Sequence, residues 1–487
     1  MPRLTALVLA AVLLAGAGLS AQQTNALQRA AAALKVEGTQ TLLIQASGTQ
    51  YSVGQPPTAA EAWPPVELKG YLMAMNFELS AARLDMQRFM GPVMPRGGGA
   101  PFTGLQRQVQ HVMGEYAWNQ PLLEAPAQPA PAAAVERMLY IWSTPQGFVK
   151  AALANKATMR NVSGGTDVSF TIGGRYKMSG LINAQGQVER VQTWVDNPVL
   201  GDMLVETTWS GYRDFGGIPF PSSMKQTQGG HPSLDLTIFA VQANTPLVIT
   251  VPENVRTAKM PPVTAESEKL AEGVFHVRGG SHNSLAVDMG DHIVVVEGPL
   301  NEARSEAVIA ETKKLIPGKP IRFVVNTHVH FDHSGGLRTF VDEGATVVTQ
   351  QSNVAFYEKA WTAPRTLGPD RLAKSRKRAS FQPVTGRYTL KGANRTIELH
   401  ELQGNPHNAA MLVVWLPNEK VLFQSDMFNP PAPNQQVPPA SPALLNFAEA
   451  LKKLNIQPEK FAGGHGNRVA MPADYTKVLG SSAAATQ

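Results

Sequence analysis

The sequence predicts two domains of different class: a mainly antiparallel β domain over residues 22–262, then a layered α/β domain over residues 263–475. Three observations lead there. The chain has 487 residues, against ~150 for a typical single domain. Before Pro252, apolar residues fall in strand-length runs set off by turn residues. After the proline-bearing segment Pro252–Val263, short apolar runs alternate with helical stretches. Apolar residues make up 43% and charged residues 16%, below the ~25% of an average soluble chain, which supplies two cores and excludes bulk disorder.

Met1–Ala21 reads as a cleaved secretory leader: Arg3, an apolar stretch Leu4–Leu19, then small Ser20 and Ala21. The stretch is short for a bilayer span and no stop-transfer charges follow. The mature chain is therefore expected to be exported, periplasmic or secreted, with no transmembrane segment. Within the first domain, Thr41–Val53, Leu68–Phe89, Gln106–Trp118, Leu204–Tyr212, Ser222–Gln228 and Leu234–Val241 read as strand regions. Arg175–Val195 reads as a hairpin turning at Asn183-Ala184-Gln185-Gly186. One helical stretch near Ala133–Lys150 interrupts the strands, and Met94–Pro101 and Ala125–Ala132 read as loops. His111 and His231 stand alone and read as surface or satisfied histidines.

Beyond the linker, His292–Val296, Ile321–Val325, Ala345–Val348, Ile397–Leu402, Met411–Trp415 and Val421–Phe423 read as strands, and Asn301–Leu315 and Leu444–Leu454 as helices. The run Ile293-Val294-Val295-Val296 suits a sheet covered on both faces. Residues 476–487 read as a tail. Net charge is +6 and dispersed, so no nucleic-acid partner is expected. The exception, Arg371–Arg378, reads as a solvated helix or loop face, or as a rim that attracts an anionic substrate. The absence of cysteine excludes disulfides, thiolate metal sites and a Cys nucleophile, so any transition-metal site must use His and carboxylates.

Such a site is written in Thr327-His328-Val329-His330-Phe331-Asp332-His333-Ser334-Gly335-Gly336, directly after the apolar run Ile321–Asn326. Loops at the carboxyl ends of strands are where α/β sheets bind ligands. The two-residue step sends His328 and His330 to one side of an extended loop, while Asp332 and His333 reach a second position nearby. Gly335 and Gly336 allow a tight turn. Three further candidates sit in loops or at strand ends: His407 in Gly404-Asn405-Pro406-His407-Asn408, Asp426 after Val421–Phe423, and His465 in Gly463-Gly464-His465-Gly466. His282, in Gly279-Gly280-Ser281-His282-Asn283, lies in a loop that either faces this site or does not. His400 reads as packed or surface, and Trp361 and Phe356 read as core packing.

This succession over residues 265–470 resembles the metallo-β-lactamase-fold hydrolase superfamily. The resemblance implies an αββα sandwich with a metal site at one edge. It implies that His328, His330 and His407 hold one divalent ion, that Asp332, His333 and His465 hold a second, and that Asp426 bridges them. Zinc is the implied metal, with iron or manganese as alternatives. Glu297 stands where the family more often has Asp, outside the ligand set. An Asp at 426, rather than Cys or Ser, resembles the lactonase, glyoxalase II and phosphodiesterase branches. Asp426–Pro431 resembles exported bacterial members, and the sheet-rich first half resembles a lipoprotein-carrier half-barrel.

The implied chemistry is attack of a metal-bound hydroxide on an ester, lactone, thioester or amide of a small-molecule substrate, with Asp332 as the catalytic proton carrier. The alternatives are a phosphodiesterase, a β-lactamase, or a non-catalytic envelope binding protein. Because all the candidate ligands lie beyond residue 263, the second domain is expected to fold and hold metal alone.

Overall fold

The computed structural model describes residues 26–91, 95–98, 102, 104–431, 437 and 439–480. The leader Met1–Ala21 lies outside the described residues, as do parts of the loop Met94–Pro101 and of the tail expected over 476–487. The helix Pro472–Gly480 runs through position 475, so the described start of that tail is helical.

Among the described residues, thirteen strands of the first half form one antiparallel sheet. Its outline is two meanders. One runs in chain order from Thr41–Tyr51 to Gln128–Pro129, the other from Thr158–Val162 to His231–Ala243. The first strand and the last pair in the middle of the sheet, with Ile44 opposite Val241. The expected run Leu68–Phe89 is two strands, Pro65–Asn76 and Ala81–Met90, and the expected single helical stretch is two helices, Ala134–Trp142 and Pro145–Ala154. A further helix covers 26–33. Leu27, Leu139 and Phe148 from these helices, with Leu34 in the turn after 26–33, bury against Leu42, Met75, Met178 and Leu236 of the sheet. In Val188–Asn197 a bulge between Val188 and Arg190 lets Val188 join Val191, Thr193 and Val195 on the buried side.

The second half is a four-layer sandwich. One sheet holds seven strands, from Glu266–Ala271 to Phe381–Val384 in chain order, and the other holds five, from Arg387–Lys391 to Lys460–Gly463. Every residue of Ile293–Val296 is fully buried, and the strand serves two cores. Val294 and Val296 join Val325, Leu399, Val414 and Phe423 between the sheets. Ile293 and Val295 pack under the outer helices with Val308 and Phe340. On the far side, Phe447 and Leu451 of Pro442–Lys453 cover Val413, Leu422 and Phe461. Asn301 and Ser441 cap the helices Glu302–Leu315 and Pro442–Lys453 by accepting from the amides of Arg304 and Leu444. This is the expected αββα arrangement.

Four strands of the sandwich end toward one edge and hand the chain to the motif residues. Ile321–Val325 leads to His328–His333, Thr396–Glu401 to His407, Val421–Gln424 to Asp426, and Lys460–Gly463 to His465. The basic cluster begins with the short helix Arg371–Ser375, where Arg371 pairs with Asp342 at 2.9 Å. No helix among the described residues is long and apolar enough to cross a membrane.

Candidate metal centre

The turn after Ile321–Val325 is held from beneath. Asn326, fully buried, donates to the carbonyl of His328 at 2.6 Å and accepts from Thr349 Oγ1 at 3.0 Å and Tyr357 Oη at 2.8 Å. Glu297, also fully buried, accepts from the Thr327 amide at 2.8 Å with one oxygen and meets His333 Nδ1 at 2.8 Å with the other. Thr327 Oγ1 meets His328 Nδ1 at 3.0 Å. The Thr327 Oγ1 and Glu297 contacts engage Nδ1 of His328 and of His333 and leave Nε2 of each ring facing the centre. The short helix Phe331–Ser334 then places Asp332 and His333. Gly335 and Gly336 are needed for close approach rather than for turning, since both have negative φ. A Cβ on either would lie 1.9 Å from the carbonyl oxygen of Leu300 or from Ser305 Oγ.

The structure brings together all seven residues singled out by the motif reading, and adds His282. Their ligand atoms fall in three groups, each within 4.8 Å of one another: His328, His330 and His407; His328, His333 and Asp426; His282, Asp332, His333 and His465. Asp426 sits between them. Its Oδ2 lies 2.9 Å from His333 Nε2, 3.3 Å from His328 Nε2 and 3.5 Å from His407 Nε2, and its Oδ1 lies 2.8 Å from His465 Nε2. Asp426 and Glu297 adopt left-handed backbone, with φ of 63° and 74°. Such conformations cost about 1–3 kcal/mol each and persist where surrounding contacts fix them. Gln424 supplies that restraint at Asp426, accepting from the Met427 amide at 3.0 Å and donating to the Phe428 carbonyl at 2.8 Å.

The donors suit cations. His328 Nε2, His330 Nδ1, His407 Nε2 and Asp426 Oδ2 are buried and make no well-aligned hydrogen bond. Four such atoms converging on one place are costly unless something binds there. Burial, reinforced by neighbouring imidazoles, holds His328 well below the usual histidine range, and burial takes His330 down to about 3, so both present lone pairs. Burial opposes charge on His333 too, but Asp426, Asp332 and Glu297 raise it well above its ordinary value. Burial likewise works against the two aspartates, yet His333 above all holds both well below the usual carboxylate range. The field at the centre therefore favours positive charge, and imidazole with carboxylate suits zinc, iron or manganese.

His282, left open by its sequence, donates from Nε2 to Asp332 Oδ2 at 3.0 Å and meets Ser281 Oγ at 2.8 Å through Nδ1. It precedes the strand Ser284–Asp288, which starts at the same edge because it runs antiparallel to Ile293–Val296. His400 stays apart, paired with Glu398 at 2.9 Å. His111 and His231 stack on Trp118 and Trp63 in the first half. Trp361 and Phe356 pack with Tyr357 over the helix-side core. The motif reading missed Gln55 and Pro56 from the N-terminal sheet, which reach Asp332 and His330. Nothing in a Gly-Gln-Pro-Pro segment marks it as a partner of residues so far along the chain.

Residues 277–465 match the model of the metallo-beta-lactamase superfamily. Over 76 residues the chain is 30% identical to a linear primary-alkylsulfatase from a Pseudomonas species; the stretch is 15% of this chain and spans only 11% of that relative. Among solved structures, the chain is similar to a metallo-beta-lactamase from Pontibacter korlensis at 16% identity, covering 46% of this chain and 100% of that one with a TM-score of 0.35. It is similar also to a DIM-1 metallo-beta-lactamase exposed to ceftazidime, at 18% identity, 47% and 100% coverage and a TM-score of 0.33.

Proposed function

We propose, from the premise that residues 277–465 are a metallo-β-lactamase superfamily domain, that the protein is an exported hydrolase working with two divalent cations. The observation that carries the reading is the convergence of four buried ligand atoms, of His328, His330, His407 and Asp426, none of which makes a well-aligned hydrogen bond. His328, His330 and His407 would hold one ion, Asp332, His333 and His465 the other, and Asp426 both, with zinc preferred and iron or manganese as alternatives. When bound, the ions supply Lewis acidity toward a substrate oxygen and an acidified water. The rest falls to the chain. Asp332 is kept ionised by His333 and His282, so its carboxylate accepts hydrogen bonds at the centre; passing a proton to the leaving group is the role proposed for it. Glu297 and Thr327 hold the His333 and His328 rings in register. Buried Asn283 ties the strand-entry loop to the carbonyls of Gly463 and Gly466, which fixes the loop carrying His465.

An ester, lactone, thioester or amide is the leading substrate class. A second reading, hydrolysis of an alkyl sulfate ester, is favoured by the stretch shared with the alkylsulfatase. Export is supported by the leader pattern at Met1–Ala21. The test is a panel of lactone, thioester, β-lactam, phosphodiester and alkyl sulfate substrates on metal-loaded full-length protein, with elemental analysis alongside. Two metals per chain and chelator-sensitive turnover of an acyl or sulfate ester are expected. One metal or fewer after loading, or turnover that survives complete metal removal, would reject the reading.

A further inference from the structure

The segment linking Thr41–Tyr51 to Pro65–Asn76 belongs to the N-terminal sheet, yet it forms a wall of the metal centre. Its base is closed by the Ser52 amide on Pro64 O at 2.9 Å and the Gln55 amide on Ser52 O at 3.1 Å. From there it faces the second half. Gly54 O accepts the Phe331 amide at 3.1 Å, one of the helix-start donors that has no partner within its own helix. Gly54 has φ of 74°, and a Cβ there would lie 2.4 Å from Phe331 Cγ. Gln55 Nε2 donates to Asp332 Oδ1 at 2.7 Å. Pro56 O accepts from His330 Nε2 at 2.9 Å and from Asn408 Nδ2 at 3.0 Å. Pro57 O accepts the Ala409 amide at 2.9 Å. A second N-terminal stretch locks the first, with Gly98 donating to Gln55 O at 2.9 Å and Gly97 to Pro406 O at 2.8 Å.

These contacts differ from ordinary domain packing because they end on candidate ligands and their immediate neighbours. A carbonyl at His330 Nε2 sets the tautomer that leaves Nδ1 bare toward the centre. An amide at Asp332 Oδ1, opposite His282 at Oδ2, fixes the plane of the carboxylate. Two consecutive prolines hold the carbonyl directions with little freedom to drift.

We infer that the metal centre is completed by the N-terminal domain, and that Gln55 is a positioning residue which orients Asp332 for the second cation. The inference rests on the two-cation reading above. Its test uses full-length protein and measures each metal affinity by competition with a chromophoric chelator. For Gln55→Leu, the cation held by Asp332 should lose about 10–100-fold in affinity, as removal of an outer hydrogen bond to a ligand does. The other site should change little, and kcat should fall while KM stays near its original value. Gln55→Met fills a similar space but offers no donor to Asp332, so it should weaken the same site even if the leucine variant folds poorly. Glu61→Gln, on the exposed part of the same connection and paired with Arg96 at 3.4 Å, should leave both affinities unchanged. If the unaltered protein binds two cations and both Gln55 variants bind them equally well, the positioning role is wrong. If the unaltered protein never takes up two, the two-cation reading itself fails.

Discussion

Glu297 shows how much at this centre depends on one proton. Its carboxylate receives the Thr327 amide and faces His333 Nδ1. In Glu297→Gln, the oxygen can still serve Thr327, but the amide nitrogen would then offer a proton to Nδ1. His333 would have to carry its own proton on Nε2, the atom aimed at the centre. We expect metal affinity to fall ~10–100-fold with little loss of fold, read by chelator competition and circular dichroism. Asp426→Ala should cost more turnover than His282→Ala, since Asp426 lies against four histidines and His282 touches Asp332 from outside. Drift of ~1 Å at a reacting centre costs ~100-fold. Near-native turnover with two metals retained in Asp426→Ala would remove it from the bridging role. At this scale the sequence was informative, because metal-binding chemistry demands particular side chains in a short span. It could not decide on His282, since a lone loop histidine carries no spacing signal.

Elements were legible where burial is uniform and less so where geometry intervenes. Ile293–Val296 and Ile321–Val325 follow directly from apolar runs. The bulge near Val188 depends on tertiary fit that no local pattern encodes, whereas the break between the helices Ala134–Trp142 and Pro145–Ala154 is marked locally by the Thr144 cap and Pro145 at the start of the second. The strand Val274–Arg278 carries a pH-sensitive group. His276 is fully buried, meets Gly463 O at 2.9 Å, and burial pushes its pKa down to about 4. The unfolded chain takes up that proton near the ordinary value of ~6.5. Stability from neutral His276 is therefore present above pH ~6.5 and is lost as pH falls from there toward 4. At pH 5 the loss is about 1–2 kcal/mol. Denaturant titrations at pH 7.5 and 5 should show His276→Gln, which keeps a donor for Gly463, losing less than the original protein. An equal loss in both would assign the acid sensitivity elsewhere.

Across the whole molecule, the two classes of domain were legible from texture, but their dependence on each other was not. Arg365, buried in the sandwich half, donates to the carbonyls of Pro198 and Val199 at 3.0 and 2.9 Å. Asp202 receives the amides of Thr366 and Leu367, each at 3.0 Å to Oδ1. With the wall at Gly54–Pro57, the interface has two polar anchors far apart in sequence. The expectation that residues from 263 onward hold metal unaided therefore meets a physical objection: His330, Asp332 and Asn408 would each lose a partner. A fragment spanning 263–487 should bind metal more weakly than the full chain and unfold at a lower temperature, measured by calorimetry with and without added zinc. Equal affinity and midpoint would restore the independent-domain view.

The pairing of first and last strands in the N-terminal sheet has a consequence in time. Thr41–Tyr51 finds one neighbour, Pro65–Asn76, almost at once, but the other, His231–Ala243, emerges only when nearly the whole domain has been made. Contacts between such distant segments form slowly because the chain must first surrender the freedom of everything between them. The loop bearing Gln55 hangs from that first strand, so its seating belongs late in folding. An ion arriving before closure would meet His330 and Asp332 without their outer partners, and would bind where it can still easily leave. The topology thus makes tight metal capture a sign that the other half of the molecule is already complete.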